Sequence, residues 1–155
     1  MERDPTARDS RNRSTPRVDI PVESRAAAIT ETPMDHFEHD RLDVYKAAID
    51  FLALADEIVE LLPKGRAYLA DQFRRASTSI PLNIAEGAGE FAALEKARIY
   101  RIARRSGTEC AAILDVCRVR NLIEPSLLSA AREVLLRIVA MLTRLILNCG
   151  ERPST

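Results

Sequence analysis

Hydrophobic residues recur at spacings of three and four from residue 40 onward, which is the period of amphipathic helices. No segment shows the sustained alternation typical of a strand. The breaks between the periodic segments contain four of the five glycines and also Pro63 and Pro125, which mark the predicted helix ends. The pattern predicts an all-α protein, an antiparallel up-down four-helix bundle over residues 38–149. The predicted helices span residues 40–62, 66–86, 91–121 and 126–148.

The third predicted helix has the regular seam of a bundle core. Its inward positions alternate spacings of four and three: Ile99, Ala103, Ser106, Cys110, Ile113 and Cys117. No cysteine pair has the spacing of a metal or redox motif, so we interpret Cys110 and Cys117 as small core residues. Gly107 costs about 1 kcal/mol relative to alanine inside a helix, which predicts a close helix contact there.

The first and fourth predicted helices differ in how much of their surface is apolar. On the first, one face is predicted to carry Leu42, Tyr45, Ile49, Leu52, Ile58, Val59 and Leu62. The fourth, with Ser126 as its predicted N-cap, is apolar over more than half of its circumference. Such a surplus predicts assembly with further copies of the chain. The alternative is that this helix is the most enclosed one of the monomer.

The second predicted helix contains a polar row beside its apolar stripe. Gln72, Arg75, Ser79, Asn83 and Glu86 fall within about 80° of one another on a helical projection.

This helix also contains a proline. Pro81 lacks an N–H group, and its ring clashes with the preceding turn, so a kink or a restart at Ser79 or Ile80 is expected. The segment from Gly87 to Gly89 is predicted to cap the helix.

Residues 1–37 have a different composition from the rest of the chain. They contain four prolines, six arginines and seven acidic residues with few large hydrophobic side chains, which predicts a disordered charged arm. Because the charges are mixed, a solvated extension is favoured over an arm that binds nucleic acid. His36 and His39 lack further ligands nearby and are assigned to a linker rather than a zinc site.

Overall charge and hydropathy exclude several classes of protein. The formal net charge is +0, so there is no strongly basic footprint, and any nucleic-acid site must be local. No apolar run approaches the about 20 residues that cross a bilayer, and no signal segment is apparent. Together with unpaired cysteines, these features predict a cytoplasmic protein without membrane contact.

Arginines concentrate on the third helix and form the candidate binding surface. Arg98, Arg101 and Arg105 share one face with Arg104 beside them, a pattern suited to phosphate groups. A second candidate pair is Arg74 and Arg75. The alternative is an ordinary solvated face with pairs such as Glu95 to Arg98 and Arg105 to Glu109.

Catalytic and metal-binding motifs are absent from the sequence. The predicted helices contain no histidine and no ExxH pattern, which predicts no catalytic residues, no metal and no cofactor. A weak acid-base candidate is Glu86 with Asn83 and Arg75. We favour a partly buried structural ion pair for this carboxylate.

The polar row and its neighbours resemble a known family. The matching positions are Gln72, Arg75, Ser79, Pro81, Asn83, Glu86 and Gly87, with Leu62-Pro63 and Tyr68-Leu69 before them and Ser106, Gly107 and Glu109 after them. They resemble the signature of the 23S rRNA intervening-sequence proteins. The resemblance implies a four-helix bundle that assembles as a homopentamer and has no enzymatic activity.

A related branch, the accessory proteins of diversity-generating retroelements, binds nucleic acid and a reverse transcriptase. We therefore expect a non-enzymatic oligomeric scaffold that binds RNA, DNA or a nucleoprotein. The alternatives are a protein-protein interaction scaffold and an accessory subunit of such a reverse transcriptase.

Overall fold

A computed structural model describes residues 36–150 of the chain. Within that range the secondary structure consists of helices and two short 3-10 turns, Glu38–Arg41 and Lys64–Arg66, and no strand occurs. The helices are α1 (Asp43–Leu61), α2 (Ala67–Gly89), α3 (Ala93–Val119) and α4 (Pro125–Gly150). This confirms the all-α prediction. The predicted arm, residues 1–37, lies outside the described residues except for its last two.

Helix order and connection length produce the up-down bundle. The links between helices are only three to five residues long, so consecutive helices must run in opposite directions. α1 packs against α2 and α4, and α3 packs against the same two helices, while the backbones of the diagonal pairs lie farther apart. The core therefore lies at the centre of a four-membered ring of helices.

The core matches the predicted seam of α3 but only part of the predicted face of α1, where Ile58, Val59 and Leu62 are buried. All six seam positions from Ile99 to Cys117 are buried. On α1, Ile49 is 43% exposed, and the stripe centres instead on Ala48, Phe51 and Ala55. The small alanines let α1 approach its neighbours, and Phe51 packs edge-on against Phe73 with ring centroids 6.1 Å apart.

Two helix ends have caps that the sequence reasoning did not assign. α3 ends in a Schellman motif, in which Asn121 takes a φ of 51° and the Leu122 N–H donates to the Cys117 carbonyl at 3.0 Å. α4 begins at Pro125, so the prediction of Ser126 as its N-cap is wrong. Proline suits the first helical position because its missing N–H would have no intrahelical partner there.

α2 runs without interruption through Pro81, so the alternative of a restarted helix is wrong. Pro81 is buried, and polar side chains bond to carbonyls in the preceding turns: Ser77 Oγ donates to the Arg74 carbonyl at 3.1 Å, and Asn83 Nδ2 donates to the Ser79 carbonyl at 2.8 Å. The helix continues to Gly89. Gly87 and Gly89 are therefore helical residues rather than a cap, and no described glycine has a positive φ.

α4 keeps apolar surface after the bundle has formed. Its buried stripe is Leu128, Ala131, Leu135, Ile138 and Leu142. Leu136 and Leu147 remain 67% and 58% exposed, so α4 is not an enclosed central helix. None of the helices between residues 36 and 150 combines the length and the apolar character needed to cross a membrane.

Candidate nucleic-acid interface

The polar row of α2 meets α3 through a small hydrogen-bond network. Ser106 Oγ donates to Ser79 Oγ at 2.9 Å across the two helices. Asn83 Nδ2 donates to the same Ser79 oxygen at 3.0 Å. These hydroxyl and amide groups are fully or partly buried, and each unpaired one would cost free energy, so the network holds α2 and α3 in register.

The exposed end of the row makes a weaker contact. Gln72 Nε2 donates to Glu109 Oε1 at 3.3 Å, so Glu109 contacts α2 rather than forming the predicted pair with Arg105. Arg75 and Glu86 are both exposed, and within residues 36–150 neither forms an ion pair. The predicted partly buried ion pair of Glu86 is therefore wrong. The Glu86 side chain is exposed on α2.

The outer face of α3 carries the arginine band, which we define as Arg98, Arg101, Arg104 and Arg105. All four are exposed. Arg98 forms the predicted pair with Glu95, at 2.6 Å from Nη2 to Oε1. Hydrogen bonding from this guanidinium lowers the pKa of the Glu95 carboxyl and raises the pKa of Arg98.

The remaining three arginines of the band have no ion pair in the described part of the chain. Arg101, Arg104 and Arg105 line one surface hollow, whose wall also includes Ser106, Thr108 and the carboxylate of Glu109. Guanidinium groups without protein partners keep their donors available to phosphate oxygens. The hollow therefore presents three cations and one carboxylate to solvent, an excess of positive charge.

The two arginines of the second predicted set differ in whether they form an ion pair. Arg74 binds Asp71 at 3.3 Å and lies 3.9 Å from Glu60. Arg75 is unpaired within the described residues and borders a shallow apolar hollow with Thr78 and Leu82. Only Arg75 of this pair resembles the band on α3.

Comparison with protein families identified a family model that matches most of the bundle. The family model for the 23S rRNA-intervening sequence protein matches residues 40–144, more than half of the chain. The chain belongs to the 23S rRNA-intervening sequence protein family. No curated protein matches it.

In this family member, one close contact was missed by the reasoning from sequence. The Tyr100 ring of α3 lies directly on Gly87 of α2, where an added Cβ would be only 2.6 Å from Cε1. The position of Gly87 on the same stripe as Ile80 and Ile84 was the available signal. The close approach predicted at Gly107 is looser, because a Cβ there would meet Val139 at an ordinary 3.4 Å.

Metal-ligating side chains do not gather in the described part of this family member. No group of three His, Cys, Asp or Glu residues is placed to hold an ion between residues 36 and 150. Cys110 and Cys117 are buried, as predicted, and burial raises the pKa of the Cys110 thiol to about 12. Such a thiol stays protonated at neutral pH and packs as a small apolar group.

Proposed function

We propose that this protein is a non-enzymatic, oligomeric helical bundle that binds nucleic acid through the arginine band of α3. The observation that carries the proposal is the hollow formed by Arg101, Arg104 and Arg105, none of which has an ion pair within residues 36–150. Family membership supports a connection with RNA, since the family is described by its association with a 23S rRNA intervening sequence.

The uneven distribution of charge along the chain supports a basic site that is confined to α3. The stretch from residue 91 to residue 120 has seven basic and three acidic residues, whereas residues 40–62 have two basic and six acidic ones. A chain with no net charge can therefore present one basic surface. Individual phosphate contacts are weak, but they add, and repetition around an oligomer multiplies them.

Assembly into a homo-oligomer, with five subunits as the family resemblance implies, is the second part of the proposal. Its support is an apolar hollow between α3 and α4, lined by Ala111, Leu135, Leu136 and Val139. Leu136, at the rim, is 67% exposed. Exposed apolar surface of this kind is typical of interfaces.

Binding is tested with a fluorescently labelled RNA hairpin at low salt. We expect wild-type protein to shift the hairpin and the R101E/R105E double variant to lose the shift. The R137E/R144E variant is the matched control, because it makes the same change of charge on exposed positions of α4. Equal binding by R101E/R105E and wild type would contradict the site.

Assembly is tested by the mass in solution, measured by light scattering. Leu136→Glu is expected to reduce the mass toward that of the monomer, since it places a charge in the hollow. Leu82→Glu is the control, because Leu82 is 63% exposed on a different hollow of α2. A monomeric wild-type protein would overturn this part of the proposal.

The outer hollow of α2 favours a second candidate function, a protein-protein interaction scaffold. Leu82, Thr78 and Arg75 present an apolar surface beside an unpaired cation, which suits a polypeptide partner, such as a reverse transcriptase. A partner that co-purifies after nuclease treatment in high salt, and is lost with Leu82→Glu, would favour this function over nucleic-acid binding.

A further inference from the structure

A cavity at one end of the bundle has features of a ligand site that the arginine band does not explain. It lies where the 3-10 turn Glu38–Arg41, the α2–α3 connection and the last turns of α4 meet, and its volume is about 320 Å³. We call it the end cavity. It shares no lining residue with the hollow of the arginine band. Its size is at the lower end of the range of small-molecule pockets.

Tyr100 provides the first observation that points to a ligand. Its side chain is only 3% exposed, yet its hydroxyl forms no hydrogen bond within residues 36–150. The described residues include no fully inaccessible polar atom without a partner, so this hydroxyl reaches an accessible space. Tyr100 lines the end cavity, which provides that space.

The Tyr100 hydroxyl is also fixed and protonated. Its ring rests on the backbone of Gly87, with no room for a larger residue there. Burial raises the pKa of Tyr100, and the nearby Cys149 adds to this effect. The group is therefore a positioned hydrogen-bond donor at neutral pH.

Charged side chains on the cavity wall supply the second observation. Lys96 and Glu38 both line the cavity, and within the described residues neither forms an ion pair. Asn148 adds an amide that can donate and accept. A ligand that fits needs an anionic group for Lys96 and hydrogen-bond donors for Glu38.

The apolar part of the cavity wall indicates that the ligand contains a flat ring. Leu42, Ala88 and Leu145 form apolar surface, and Phe91 stands at the cavity with its side chain 98% exposed. An exposed aromatic ring of this kind provides a face on which a planar base can stack.

We propose that the end cavity binds a nucleoside monophosphate, either free or as an unpaired unit of a nucleic acid. The phosphate lies at Lys96, the base stacks on Phe91, and Glu38, Asn148 and Tyr100 bond to polar edges of the ligand. A nucleoside monophosphate has about 23 non-hydrogen atoms, which suits a small drug-sized pocket better than a single amino acid does.

Calorimetric titration of the full chain tests the proposal with the four nucleoside 5′-monophosphates, adenosine, inorganic phosphate and phenylalanine as probes. We expect at least one monophosphate to bind more tightly than adenosine or phosphate alone. Tyr100→Phe, which removes only the hydroxyl, should weaken binding of the monophosphate about 2- to 12-fold, the equivalent of one hydrogen bond. Lys96→Gln should weaken binding of the monophosphate but not of adenosine. Arg137→Gln, the control, should leave binding of both unchanged.

Three results would overturn the inference: no monophosphate binding, binding that Tyr100→Phe and Lys96→Gln leave unchanged, or binding of phenylalanine in place of the monophosphates. A thermal melt of each variant shows that it is folded.

The two sources of the ligand are distinguished with RNA. If Tyr100→Phe weakens binding of a hairpin with an unpaired loop but not of a fully paired duplex, the ligand is an unpaired nucleotide. If it weakens only the free monophosphate, the ligand is a free nucleotide. The variant R101E/R105E, which tests the arginine band, should leave monophosphate binding unchanged, so the two proposals fail separately.

Discussion

Two neighbouring residues of α3 show opposite uses of polar chemistry. Ser106 is buried against α2 and donates to Ser79 at 2.9 Å, whereas Arg105 is exposed on the outer face and has no ion pair between residues 36 and 150. Ser106 is bonded within the bundle, whereas the arginines of the band other than Arg98 have no ion pair in the described part of the chain. The comparison shows that a buried, bonded polar group and an exposed, unpaired one can be neighbours on one helix, although Ser106 also borders the hollow of the band. Within the polar row of α2, Ser79 and Asn83 join the buried network, whereas Gln72, Arg75 and Glu86 are exposed.

The largest effect is expected where α2 and α3 are closest. Gly87→Ala places a Cβ 2.6 Å from the buried Tyr100 ring, so the ring or the helix must shift. We expect a net loss of about 1–2 kcal/mol in the free energy of unfolding, because overpacking exceeds the gain in helix propensity. Urea denaturation measures this change in the free energy of unfolding.

Gly107→Ala is the matched control for this contact. Its Cβ would meet Val139 at 3.4 Å, so the gain in helix propensity of about 0.5–1 kcal/mol is expected without strain. If Gly87→Ala were at least as stable as Gly107→Ala, the account of the α2–α3 contact would be wrong.

A smaller loss is expected from the hydrogen-bond network. Ser106→Ala removes the donor to Ser79 and should cost about 1 kcal/mol of unfolding free energy. Thr108→Ala is the control, because the exposed Thr108 hydroxyl bonds only to the Arg104 carbonyl of its own helix. Equal thermal stability of the two variants would remove the structural role assigned to Ser106.

The smallest effect concerns the one paired arginine of the band. Glu95→Gln should free Arg98 from its partner and add at most one phosphate contact, which raises the salt dependence of RNA binding by about 0.7–0.9 in log–log slope. Glu133→Gln removes the same charge from an exposed position of α4 and should change the slope less. A slope for Glu95→Gln no greater than that for Glu133→Gln would show that Arg98 stays outside the interface.

Periodicity predicted the number of helices, the topology and the buried seam of α3, because apolar spacing determines which stripe faces inward. It misplaced the α1 face at Ile49, since the centre of a stripe depends on the sizes of residues on the neighbouring helices. The same limit explains why the sequence indicated a close helix contact at Gly107 and not at Gly87. Both lie in helices, but only the approach of Tyr100 makes one of them indispensable.

The candidate site was predictable only in part. The arginine spacing identified the band, and the pair of Glu95 with Arg98 followed from a separation of three residues. The partner of Glu109 was not predictable, because Gln72 lies 37 residues away in the sequence and reaches it only after the helices pack. The end cavity likewise joins segments that are distant in the sequence, from Glu38 to Cys149, and no local pattern shows that they meet.

The most direct test of the central claim is the salt dependence of RNA binding, measured together with thermal stability. In the triple variant R101Q/R104Q/R105Q we expect the log–log slope to fall by about 2–3, the equivalent of three phosphate contacts, with an unchanged melting temperature. An unchanged slope, or a loss of binding that follows a loss of stability, would contradict the separation of an inner structural side from an outer binding side of α3.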